Sequence, residues 1–113
     1  MQALYFKPSY ERLRERIHAA APELDVVLYD EAGRLWHHGV EVLPKDIKPD
    51  WCWIHTELFF SPLLHEYFRL MLHLPSLTWL HTVNTGLDKL PYLELVEKGV
   101  TVTNNHAQAI AIA

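Results

Sequence analysis

Residues 77–104, LTWLHTVNTGLDKLPYLELVEKGVTVTN, decide the fold. Leu77 to Val83 is an apolar run of strand length, and Asn84-Thr85-Gly86 is a sharp turn. Leu90 to Lys98 has the composition of a short helix, closed by Gly99 where a left-handed cap is expected. Val100 to Thr103 is again a strand. Strand, helix and strand in alternation argue for a parallel sheet covered by helices on both faces.

The same alternation extends upstream. Trp51 to His55 is a strand, and Ser61-Pro62 starts a helix that runs to about His73 with Leu64, Tyr67, Phe68 and Met71 on a broad apolar face. Ala3 to Phe6 and Leu24 to Tyr29 are strands flanking a helix over Tyr10 to Ala21, for which Ser9 is the expected N-cap. Residues 34–50, with two prolines and a glycine, read as a loop with a short extended piece. The expected architecture is α/β: a flavodoxin-like, doubly wound, three-layer fold with about five parallel strands in the order 2-1-3-4-5. The tail from Asn104, NNHAQAIAIA, reads as a helix opening from Ala107, although AIAIA also alternates like a strand.

The length of 113 residues, half of them hydrophobic, suits one domain with one core. A net charge of -4 gives no electrostatic reason to expect nucleic acid. No apolar stretch reaches the length of a membrane span, and the N-terminus lacks the layout of a signal peptide. With Cys52 as the only cysteine, no internal disulfide forms, and a cytoplasmic protein is the expectation. Cys52 lies between Trp51 and Trp53 and reads as a core residue rather than a nucleophile.

In such a sheet, ligands bind beyond the carboxyl ends of the strands. Lys7-Pro8-Ser9, His55-Thr56-Glu57 and Asn84-Thr85-Gly86 should meet there, and the amides near Thr85, Gly86 and Leu87 suit a carboxylate or phosphate. Gly86 also fits an ordinary turn. The echo of Trp53-Ile54-His55-Thr56 in Trp79-Leu80-His81-Thr82 would set His55 beside His81 if the two strands pair in that register. His37 and His38 point apart in an extended chain, and His65 and His73 are too far separated to form a recognised pair, so no metal site is expected. The glycines, at 33, 39, 86 and 99, form neither GxGxxG nor GxxxxGK[ST], and no GxSxG is present. A phosphoryl-accepting receiver pocket fails because His55-Thr56 stands where its aspartate belongs.

The run from Leu74 to Ala113 resembles the end of the substrate-binding domain of the NAD-dependent D-isomer-specific 2-hydroxyacid dehydrogenases. The resemblance is carried by a P-x-L-x-W strand, the turn Asn84-Thr85-Gly86-Leu87-Asp88, a helix ending Glu97-Lys98-Gly99 and the strand into Thr103-Asn104. It implies a small 2-oxo or 2-hydroxy acid held by the amides of Thr85 and Gly86, with Thr56 and Glu57 as further substrate contacts. It also implies NAD or NADP on a separate Rossmann domain and a division between a substrate domain, residues 1–104, and a truncated interdomain helix starting at 105–113. His106 and Gln108 fall in a segment that aligns in more than one register. The family's catalytic residues and cofactor loop have no counterpart here, so the chain alone is expected to be inactive and to hold no cofactor. The alternative is a stand-alone interaction module that forms a homodimer through its apolar C-terminal segment and an uncovered sheet face.

Overall fold

The computed structural model describes residues 1–83, 87 and 89–104, and the backbone of 109–110. The first strand, β1 (Gln2–Phe6), is buried from Ala3 to Phe6. Alternation sends Leu4 and Phe6 to one face and Ala3 and Tyr5 to the other. A strand apolar on both faces must be covered on both, and helices supply the cover.

Helix α1 (Lys7–Ala20) follows without a loop and packs Leu13 and Ile17 on the Ala3/Tyr5 face, where Val26 and Leu28 of β2 (Asp25–Tyr29) join them. Ser9, expected as the N-cap, lies inside the helix. Pro8 occupies the first turn, where its missing N–H costs nothing, and the Ser9 hydroxyl donates instead to Glu57. The opposite face is covered by α3 (Leu64–Leu72) and α4 (Leu90–Lys98), which bring Tyr67, Phe68, Met71, Tyr92 and Leu95 over β5 (Trp51–Ile54), β6 (Trp79–Thr82) and β7 (Thr101–Asn104). A further short helix, α2 (Thr56–Phe59), turns the chain after β5. Lys98 ties the end of α4 to the end of α3: its ammonium donates to the carbonyls of Met71 (2.9 Å) and Leu74 (2.6 Å), which also accept backbone N–H groups of the turns that follow α3. Gly99 caps α4 at φ 106°.

The class is α/β, but the sheet is mixed rather than simply five-stranded and parallel. Among the described residues, eight strands run in the order β4-β3-β2-β1-β5-β6-β7-β8. The five from β2 to β7 in that order are parallel neighbours. Antiparallel strands extend both edges.

At one edge, the segment expected to be mostly loop forms β3 (Leu35–His37) and β4 (Val40–Val42). The joining residues His38 and Gly39 both have positive φ, 52° and 78°, as a two-residue hairpin turn requires. The Asp30 carboxylate organises the preceding turn by accepting the N–H groups of Ala32 and Arg34 and the Trp36 indole. At the other edge, β8 (Ala109–Ile110) pairs with β7 where a helix opening is expected, satisfying backbone groups that an edge strand leaves open. Among the described residues, no helix is long and apolar enough to cross a membrane.

Met71 is fully buried between α3 and the sheet, whereas Phe60 is 78% exposed. Met71→Ala is therefore expected to lower unfolding free energy by about 2–5 kcal/mol in urea titration, and Phe60→Ala to change it by less than about 0.5 kcal/mol.

Candidate functional site at the carboxyl edge of the sheet

β1 and β5 are neighbours, and the crossover after β1 runs to β2 while the one after β5 runs the other way to β6, so a crevice opens beyond their carboxyl ends. A cleft of about 570 Å³ lies there, lined by Phe6, Pro8, Glu31, Glu57, Ser61 and Leu63, among others. One strand further along, the Val83 N–H donates to the Ile54 carbonyl (3.1 Å), and Thr82 pairs in register with Asn104. The carboxyl ends of β5, β6 and β7 consequently lie side by side.

Of the expected substrate contacts, Thr85 and Gly86 lie outside the described residues, as do His106 and Gln108. Thr56 is exposed as the first residue of α2. Glu57 is already engaged: Oε1 accepts from Ser9 Oγ (3.0 Å) and Arg12 Nη2 (3.1 Å), and Oε2 from Arg12 Nε (2.5 Å). These bonds, chiefly from Arg12, hold the Glu57 carboxyl down at about 2. The residue is thus a paired carboxylate that joins α1 to α2, poorly suited to act as a base.

His55 is 8% exposed, with its ring stacked on Trp53 at 4.6 Å and on Tyr5 at 6.1 Å. Burial lowers its pKa to about 4, so the imidazole is neutral at pH 7. Its Nε2 and the Trp53 indole nitrogen have no hydrogen-bond partner among the described residues. Both residues line an apolar slot of about 290 Å³ between α1 and β5.

His55 and His81 are not cross-strand partners, because the register differs from the one the sequence echo suggests. The Asp50 carbonyl accepts the N–H groups of Thr78 and Trp79, which sets Trp79 opposite Trp51 and His81 opposite Trp53. The His81 and Trp79 rings instead meet the Thr103 hydroxyl, at 2.7 and 2.8 Å. Cys52 is a core residue, its thiol pushed up to about 12 by burial.

His37 and His38 do not point apart. With His38 left-handed rather than extended, their ring centres are 4.2 Å apart, and both reach Asp25. No residue spacing announces this cluster. Its one sequence signal is the His-Gly pair at a hairpin turn.

The described glycines sit in two turns and a helix cap. None of them opens a helix directly after a strand, so they do not fit the pyrophosphate of a nicotinamide cofactor. Compared with protein-family models, curated proteins and solved structures, the chain matches none.

Two groups couple folding to acid in the same direction. The unfolded chain protonates His55 near 6.5, whereas the fold resists until about 4, so stability falls as pH drops below about 6.5. Glu57 adds a second loss as pH falls from its ordinary 4.5 toward 2. Because the Arg12 side chain is half exposed, the pair contributes about 1 kcal/mol or less. Arg12→Gln should remove that contribution at pH 7 and flatten the unfolding free-energy curve below pH 4.5, as measured by urea titration across pH.

Proposed function

We propose that this chain is the flavodoxin-like, substrate-side domain of an NAD-dependent D-isomer-specific 2-hydroxyacid dehydrogenase, and that it binds a small 2-oxo or 2-hydroxy acid. The observation that carries the reading is that the carboxyl ends of β5, β6 and β7 lie side by side at one edge, Ile54 beside Thr82 and Thr82 beside Asn104, with Thr56 starting α2 just beyond. The parallel order β2-β1-β5-β6-β7 is the 2-1-3-4-5 order of that fold once the antiparallel strands are set aside. In this reading the amides of Thr85 and Gly86 orient the substrate carboxylate, Thr56 borders it, and Glu57 holds α2 in place through Arg12. NAD or NADP belongs to a separate cofactor domain.

Titration of the ¹⁵N-labelled protein with pyruvate is expected to shift the amides of Thr56, Thr85 and Gly86, saturating in the millimolar range that a few hydrogen bonds support. Gly86→Val should abolish the shifts. No response, or one scattered over unrelated surfaces, would refute the assignment.

A self-associating interaction module is favoured by a different observation. Among the described residues, α1 lies chiefly over β1 and β2, and Trp51, Trp53 and Trp79 are partly exposed on the same face. Trp51 and Trp79 pack edge to face at 5.0 Å. If a second copy covers this strip, sedimentation at micromolar concentration gives a dimer, and Trp79→Ser weakens it; a clean monomer rules it out.

A further inference from the structure

The opposite end of the sheet carries a second cluster. Asp25 is the first residue of β2 and pairs in register with Gln2 at the start of β1. His37 ends β3, and the chain then turns through His38 and Gly39. His37 Nε2 lies 2.8 and 3.0 Å from the two Asp25 oxygens, and His38 Nε2 lies 3.1 Å from Oδ1. One ligand atom from each residue falls within 4.8 Å of the other two.

We propose that Asp25, His37 and His38 form a binding site for one divalent transition-metal ion of the zinc class, with a further coordination position open to solvent. Two imidazole nitrogens and one carboxylate oxygen suit zinc, cobalt or nickel better than magnesium or calcium, which prefer all-oxygen shells. A tetrahedral ion with bonds of about 2.0–2.1 Å spaces its ligand atoms about 3.3 Å apart. The trio is near that spacing already, and the His38 side chain, 75% exposed, is free to adjust. On entry the ion takes the place of the Nε2 protons that face Asp25: a neutral ring shifts its proton to Nδ1, a doubly protonated ring releases one proton to solvent, and the ion gains two bonds to nitrogen and one to oxygen.

The carboxylate is also prepared. Gln2 Oε1 accepts the Lys48 N–H (2.8 Å), which turns the amide so that Nε2 donates to Asp25 Oδ2 (2.9 Å) and leaves Oδ1 toward His38. Asp25 and His38 border a cleft of about 760 Å³ whose α1 side carries Tyr10, Arg14 and His18, so an exchangeable ligand on the ion has a route in. The site lies at the amino ends of the parallel strands and stands independently of the substrate assignment.

The test is titration of the full chain with Zn²⁺ against a chromogenic chelator, and with Co²⁺ followed by visible absorption. One ion per chain is expected, with cobalt bands of a low-coordinate nitrogen–oxygen site. His38→Asn keeps a residue that tolerates the left-handed backbone but removes the imidazole, and should weaken affinity about 10-fold or more. Asp25→Asn and His37→Gln should do the same, whereas His65→Ala, an exposed histidine on α3, should not. Equal binding by wild type and His38→Asn, or equal loss in His65→Ala, would overturn the site and leave a purely hydrogen-bonded triad. Should Asp25→Asn or His37→Gln fail to fold by circular dichroism, His38→Asn, altered only at an exposed side chain, decides alone.

Discussion

Four successive residues of β1, Ala3 to Phe6, are withdrawn from water on both faces of the sheet, and the remaining architecture answers to that burial. Their backbone groups are satisfied by parallel pairing with β2 on one side and β5 on the other. Parallel neighbours need crossovers, and the crossover helices are what cover the two faces. Because the crossovers after β1 and after its neighbour β5 run to opposite sides, a crevice opens at the carboxyl edge where Glu57 meets Ser9 and Arg12. The same constraint aligns Gln2 with Asp25 at the amino edge.

The two ends of the sheet are chemically different for a structural reason. At the carboxyl edge, helices begin almost as soon as strands end, so polar side chains there are drawn into helix-to-helix contacts such as Arg12–Glu57. At the amino edge, β2 starts beside a tight antiparallel hairpin, and the turn delivers two imidazoles to one carboxylate. An ion pair between helices holds a crevice open, whereas converging nitrogens with an ionised oxygen make a ligand set. The two arrangements do not compete for residues, so one chain can carry both.

The cover of the sheet is uneven. α3 and α4 bury Cys52, Ile54, Leu80 and Val102 completely on one face, while on the other α1 reaches only as far as the apolar slot beside Trp53. The Trp79 indole nitrogen and His81 Nδ1 both meet the Thr103 hydroxyl on the neighbouring strand. The aromatic rings of this face keep edge-to-face and stacked contacts with one another, as Trp51 does with Trp79 and Trp53 with His55.

Much of this was legible in the residues. The apolar runs around Leu4, Val27, Cys52, Leu80 and Val102 marked the parallel strands, and Gly99 marked the end of α4, because burial and left-handed geometry restrict composition locally. The hairpin at 35–42 was not legible, since Leu-Trp-His and Val-Glu-Val are too short to show a period and His38 is an unusual residue for positive φ. The Ser9–Glu57 bond and the register of β6 on β5 were hidden for another reason. Each is decided by groups far apart in the chain, Glu57 drawing Ser9 away from capping and the Asp50 carbonyl setting Trp79 opposite Trp51. Local sequence by itself determined which segments are strands and helices and which faces are apolar. Only the tertiary structure decided how strands slide against one another and which polar side chains meet, because those outcomes depend on hydrogen bonds between residues that sequence spacing does not relate.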